Sequence, residues 1–397
     1  MKQFLLSGLL LATTALPAAA QQRLTGKVLD ASTGQPVPYA SISVLNSTLG
    51  TTSNAEGEFE IGGMALPGKL VVSELGHQRD TVAVTATQTL QIRLQPTSVL
   101  LPEVQVGSYL SDLIAQAYRQ LRHTYDRKLY GQAFYRQVTR LDDAPTEVQE
   151  MVWNAETSNS GLGGTALAQA RFAKKKALIS FNNFSLYTKR YGLYNPADDS
   201  VKQESIIGLH VADYLKLKLL SVTQNGAQQL IEIGFANKSN NANGFSRGSM
   251  VIDEATRQLL RVRLETTGFH TKSNNPIFKF KNEVTQIEWV FAPRPSGAAT
   301  LDYLKVDYRT DLGRLMKADM RIHVASFAYC YNGQPTPAAS VAYAPAKGGE
   351  VDLALIKQTT YDPAFWQNNA VVKRTPLEEQ IMKSFEQKGA FGTMLTP

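Results

Sequence analysis

One short run in the sequence has the residue types and spacing of a catalytic nucleophile: Gly244-Phe245-Ser246-Arg247-Gly248, formally G-x-S-x-G. Enzymes using this motif place the serine on a sharp strand-to-helix turn, which exposes its hydroxyl beside an oxyanion hole. Asp253 and His270 lie downstream as acid and base, so a cryptic serine hydrolase centred on Ser246 is the catalytic reading. The surroundings point elsewhere. Ser246 follows the polar run 237–243 and precedes a β-prone segment rather than a helix. We therefore assign no catalytic residue and expect no enzyme activity.

Metal and phosphate chemistry find less support. His77, His123, His210, His270 and His323 are scattered, and none is followed by Glu at the third position, as a zinc peptidase helix would require. Asp142-Asp143 and Asp198-Asp199 read as solvated turns rather than calcium sites. No glycine loop precedes a helix in a phosphate-cradling arrangement. Asn46-Ser47-Thr48 matches a glycosylation sequon that a bacterial chain would leave bare. The run Lys174-Lys175-Lys176 reads as a solvated strand end, and nothing suggests nucleic-acid binding. No cofactor and no metal site is expected.

The elements around these residues are those of an exported β protein. Met1-Lys2-Gln3, an apolar run from Phe4 to about Leu16, and Ala18-Ala19-Ala20 form the three parts of a signal peptide with cleavage after Ala20. An uncleaved anchor is the alternative. No later stretch reaches the roughly 18 apolar residues of a membrane-spanning helix, although a transmembrane β-barrel leaves a weaker signal and stays open. The net charge of +7, one unit of it from Lys2, is mild for 397 residues. Such a length calls for more than one core. Cys330 is the single cysteine, so no disulfide forms within the chain and no lipoprotein anchor follows the leader. The expected location is the periplasm or the outer-membrane surface.

From residue 21 to 95, short alternating segments separated by turn residues predict a β-sandwich: Leu24–Leu29, Tyr39–Leu45, Gly57–Ile61, Lys69–Glu74, Asp80–Val84 and Thr89–Leu94. The runs Gly26-Lys27-Val28-Leu29-Asp30, Thr33-Gly34-Gln35-Pro36-Val37-Pro38-Tyr39-Ala40-Ser41-Ile42-Ser43-Val44 and Gly50-Thr51-Thr52-Ser53-Asn54-Ala55-Glu56-Gly57-Glu58-Phe59, continued to Leu75-Gly76-His77, resemble the carboxypeptidase-regulatory-like domain. That resemblance implies a transthyretin-like sandwich of the kind widespread in exported proteins of the Bacteroidetes. It implies no peptidase, because the zinc site of the enzymes after which the family is named lies in a separate domain.

Residues 96–107 read as a linker, with Leu101-Pro102-Glu103-Val104-Gln105-Val106 similar to the segment that follows the module in outer-membrane receptors. The chain is too short for the barrel of such receptors. Residues 108–397 predict a larger α+β domain. Leu110, Leu113, Ile114, Ala117 and Leu121 form one face of a helix over 108–123, with Ser108 as cap. Strands are predicted at Gln132–Leu141, Glu147–Thr157, Ala177–Tyr187, Gln228–Ala236, Ser249–Ile252, Leu259–Thr266, Val284–Phe291, Thr300–Tyr308 and Met316–Tyr329. The hairpin turning at Asp253-Glu254-Ala255-Thr256 is similar to the repeat of periplasmic lipoprotein-carrier folds, in which a curved antiparallel sheet packs on a helix beside an apolar cavity. A terminal helix starts at Pro376, and Tyr361, Phe365 and Trp366 anchor the tail. Its tail is similar to those closing exported proteins that begin with the same module. The expected role is a non-catalytic envelope binding or scaffold protein, the sandwich contacting protein and the second domain packing or carrying an apolar, lipid-like ligand; a structural adaptor without ligand is the alternative.

Overall fold

A computed structural model describes residues 23–100 except 48, 108–190, 193–194, 205–225, 228–238, 246–267, 277–295, 297–314, 316–347, 350–368 and 371–387. The expected leader, the run 101–107, Asp198-Asp199 and His270 lie outside them.

The N-terminal module holds β1 (Arg23–Asp30), β2 (Ser41–Val44), β3 (Gly50–Thr52), β4 (Glu58–Gly62), β5 (Gly68–Ser73), β6 (Asp80–Val84) and β7 (Thr89–Leu94). They form two sheets, β4-β1-β7 and β3-β2-β5-β6. Period-two patterning explains the sandwich: Val28, Ile42, Phe59, Leu70, Val72 and Leu94 point between the sheets and are fully buried. The parallel pairing of β1 with β7 ties the two ends of the module together. The run Gly50-Thr51-Thr52 was not predicted as a strand; it is too short and polar to show alternation, and only pairing with β2 makes it one. Tyr39, predicted as the first residue of a strand, instead adopts φ 57°, a left-handed conformation uncommon for a bulky side chain, and β2 begins at Ser41.

The second domain opens with α1 (Tyr109–His123). Ser108 occupies the N-cap position but caps through its backbone, its carbonyl accepting from Asp112 N and Ser111 Oγ rather than its hydroxyl bonding the helix. Then come β9 (Leu129–Leu141), β10 (Ala144–Ser158) and β11 (Gly161–Lys174), the short helices α2 (Leu186–Arg190) and α3 (Val211–Tyr214), and a meander of β12 (Leu215–Asn225), β13 (Gln228–Asn237), β14 (Ser246–Asp253), β15 (Leu259–Thr266), β16 (Lys279–Ala292), β17 (Thr300–Arg314) and β18 (Lys317–Gln334). β18 returns to pair with β9, giving one antiparallel sheet in the order β11-β10-β9-β18-β17-β16-β15-β14-β13-β12, to which the junction strand β8 (Ser98–Leu100) adds a short edge beside the end of β12. No described helix is long and apolar enough to cross a membrane.

The apolar stripe of α1 packs on one face of this sheet, where Leu113, Ile114, Ala117 and Leu121 share a core with Tyr135, Trp153, Met250, Val262, Trp289, Leu304 and Tyr308. The opposite face carries the sandwich and the tail. That tail comprises α5 (Pro363–Asn368) and α6 (Pro376–Glu386), after α4 (Asp352–Gln358), which lies on the α1 side. Pro376 begins α6, and Thr375 and Glu378 close a reciprocal capping box. Ile381, Met382 and Phe385 of α6 pack on Val138, Val148 and Ala173.

The strand reading changes at three segments of this domain. The segment 177–187 is not a strand: Asn182-Asn183 form a turn into α2, held by Asp352, whose carboxylate accepts from the Ser185 amide at 3.0 Å and from its hydroxyl, while the Leu353 amide donates to Asn182 O. Conversely, β11 and β12 were not predicted. One is rich in Gly and Ala and the other alternates Lys with Leu, so both gain strand character from neighbours rather than from intrinsic propensity.

Candidate functional site

The sheet face opposite α1 is written by the register. Across it one row runs Arg171, Glu150, Arg136, Phe327, Lys305, Glu288, Arg263, Ser249, Gly234 and Lys218, each directly opposite the next. Two residues along, Val138, Ala325, Asp307, Gln286, Glu265, Arg247, Ala236 and Lys216 form a second row. Side chains of directly paired residues share a face, so cations and carboxylates here alternate across strands while apolar residues fill the α1 side.

A cleft of about 940 Å³ runs along this face, within the range of small-molecule sites. Its walls come from three parts of the chain: strands β9 and β12 to β18, Tyr39 of the sandwich, and Glu378 of α6. Tyr39, at φ 57°, lies on the sandwich side of the cleft and lines it. There the ring stacks on Phe327 at 5.4 Å between centroids, with Lys305 Nζ 4.0 Å from its centre. Burial raises the Tyr39 hydroxyl to about 12, so it stays a neutral hydrogen-bonding group at physiological pH.

Most charges of the cleft neutralise one another. Arg263 meets Glu288 at 2.8 Å and Lys305 meets the same carboxylate at 2.5 Å. Burial would push Glu288 upward, but Lys305 and Arg263 overcome it and hold the carboxyl below its usual range. Arg247 pairs with Glu265. Beyond the cleft, at the β9–β11 end of the same face, buried Glu150 lies between Arg136 Nε at 2.7 Å and Arg171 Nε at 2.6 Å. Burial again opposes ionisation, and Arg171 and Arg136 outweigh it, so Glu150 stays a carboxylate. Arg136 also meets Glu378 at 3.1 Å and donates to Val372 O at 3.3 Å.

This network clamps the tail between sandwich and sheet. Thr52 bridges to Val372 in parallel fashion, Thr51 Oγ1 donates to Val371 O at 2.8 Å, and Asn54 Nδ2 donates to Arg374 O at 3.1 Å. Lys373 pairs with Glu58, and the Arg171 guanidinium lies 4.4 Å over the Trp366 ring. Tyr361, Phe365 and Trp366 anchor the tail in the apolar cluster of Phe134, Tyr303 and Tyr329. A second, smaller cavity of about 490 Å³ adjoins this network.

The residues singled out from sequence lie apart from the cleft or serve structure. Ser246 opens β14, and its hydroxyl donates to Thr266 Oγ1 at 2.9 Å across the β14–β15 pair. Asp253 spends its carboxylate on the turn, accepting from Ala255 N, Thr256 N and the Gln228 amide. Gly248, the last residue of the motif, has a packing reason: a Cβ there would lie 1.8 Å from Arg263 O. His77 is held by Glu74 at 2.7 Å and Asp30 at 3.0 Å. Asp142 and Asp143 occupy the β9–β10 turn at positive φ, and Asp143 meets Arg321 at 2.6 Å. The lysine run is not simply solvated: Lys174 bonds Ser180, and Lys175 lies 5.4 Å from the Phe385 ring centre. Cys330 is in no disulfide, and burial pushes its thiol well above the usual range. Among the described residues no three His, Cys, Asp or Glu side chains gather as a metal site.

The residues that line the cleft escaped sequence reading because their only shared signal is alternation of charge along strands whose partners are set by long-range pairing. Comparison with curated proteins finds no match. The family described as CarboxypepD_reg-like domain matches residues 24–106, and with the seven-stranded sandwich above, this identifies the N-terminal module as a domain of that family.

Proposed function

We propose that this protein is a non-catalytic binding or scaffold protein of the cell envelope, in which the regulatory-like sandwich and the C-terminal helix complete a ligand cleft on the large sheet. The single observation that carries the reading is the joint construction of the cleft. Tyr39, Glu378 and the β12–β18 face come from distant parts of the chain and converge on one volume of small-molecule size. Exposed apolar surface supports an apolar or lipid-like occupant: Leu220, 39% exposed, stands on the cleft floor over Gly234. The placement of Ser246 in β14, with its hydroxyl donated to Thr266 Oγ1 of the neighbouring strand, supports binding over hydrolysis.

The test is native mass spectrometry of the protein purified from its envelope fraction. A small hydrophobic molecule should accompany the chain and disappear on Leu220→Trp, which fills the floor over Gly234. A bare mass in the wild-type protein would favour the adaptor without ligand. Loss of an assayed esterase or peptidase activity on Ser246→Ala would favour the hydrolase.

A further inference from the structure

We propose that the cleft selects an amphipathic anion, whose acidic headgroup is held by Lys216 and Lys218 and whose apolar portion lies along the floor beside them. This rests on the reading of the cleft as a ligand site and deepens it. The register puts Lys218 opposite Gly234, which is opposite Ser249, and Lys216 opposite Ala236, which is opposite Arg247. Small residues therefore stand next to both lysines on the cleft side, where other strands carry large side chains. A break in register between Leu219 and Ser221 brings Leu220 over Gly234 as part of the apolar floor.

Charge complementarity identifies the headgroup. The cleft is lined by seven cationic side chains against four carboxylates, so its field favours a negative ligand. Those carboxylates are committed: Glu265 to Arg247, Glu288 to Arg263 and Lys305, Glu378 to Arg136, and Asp307 to Arg309 and His323. Lys216 and Lys218 meet no carboxylate among the described residues, are exposed, and flank the apolar floor. Two ammonium groups spaced two residues apart on one strand face lie roughly 7 Å apart at their Cα atoms. A carboxylate or phosphate oxygen cluster can engage both.

Titration calorimetry on the full mature chain tests this with dodecanoate, dodecyl phosphate, dodecanol and inorganic phosphate, all below micellar concentration. Dodecanoate or dodecyl phosphate should bind more tightly than dodecanol, and the stronger of the two identifies the headgroup as carboxylate or phosphate. In Lys216→Gln/Lys218→Gln that affinity should fall at least about tenfold, a loss of about 1.4 kcal/mol, and approach that of dodecanol. Both lysines are exposed, so the variant's thermal melt should match wild type. Equal binding of dodecanol and dodecanoate, insensitive to the lysine change but abolished by Leu220→Trp, would overturn the anionic headgroup while leaving the cleft reading intact. Inorganic phosphate binding as tightly as dodecyl phosphate would overturn the apolar portion. Failure of every amphiphile to bind, with Leu220→Trp indistinguishable from wild type, would overturn the cleft reading and this inference together.

Discussion

Replacing Glu150 by Gln tests the clamp at its centre. Glu150 is 1% exposed and bonds Arg136 Nε at 2.7 Å and Arg171 Nε at 2.6 Å, with Arg374 Nη2 at 3.6 Å. The substitution keeps shape and one acceptor but removes the charge that two buried guanidiniums share. Breaking a buried pair by removing one partner costs about 3–5 kcal/mol, most of it the uncompensated burial of what remains. Arg136 retains Glu378 at 3.1 Å, which places the expected loss near the lower end, about 3 kcal/mol. The assay is urea unfolding followed by tryptophan fluorescence, with the slope unchanged if only stability is altered. Because Arg136 donates to Val372 O, amide exchange at Val371 to Arg374 should accelerate more than in the sandwich core. Replacing all three residues together, as Arg136→Met/Glu150→Leu/Arg171→Met, should recover much of the loss, since apolar side chains of similar volume need no counter-charge. The sign with pH is equally defined. Glu150 is held below its usual range, so its contribution is full above the unfolded carboxyl value and is lost as pH falls through the lowered folded value. The variant should therefore show a flatter acid limb. A loss under about 1 kcal/mol, the scale of a solvated surface pair, would refute the claim that these charges are shielded from water.

His77 should make the sandwich less stable toward alkaline pH. Its bond to Glu74 raises its pKa, burial opposes that, and Asp30 adds to the rise, so the stabilisation is complete below about 6.5 and is lost as pH climbs through the raised folded value; His77→Phe should flatten the stability profile on the alkaline side of pH 6.5, and an unchanged slope would sink the assignment. Gly248→Ala should destabilise by about 1–3 kcal/mol or more, the scale of overpacking, because the new methyl meets Arg263 O; an unchanged urea midpoint would show that β14 and β15 can separate freely.

How much was legible beforehand differs between the modules for a physical reason. In the sandwich, Ala40, Ile42 and Val44 alternate with polar residues, and turn glycines stand at Gly34 and Gly57 with positive φ, so strands and turns were readable locally. The helix stripe from Leu110 to Leu121 and the Pro376 start of α6 were equally local signals. Segment 177–187 misled because its β-prone residues are held by Asp352, far along the chain. β12 hid because its alternating lysines lie opposite Gly234 and Ala236, which only the pairing reveals.

Sequence alone thus determined the family of the first module, the mainly β class and the two largest helical faces, since those depend on patterns within a few residues. Tertiary structure alone decided that Tyr39, Glu378 and the lysines of β12 share a cleft, and that Glu150 joins two arginines. Those meetings depend on which strand lies beside which and in what register, and strand pairing is a long-range choice that no local window of residues encodes.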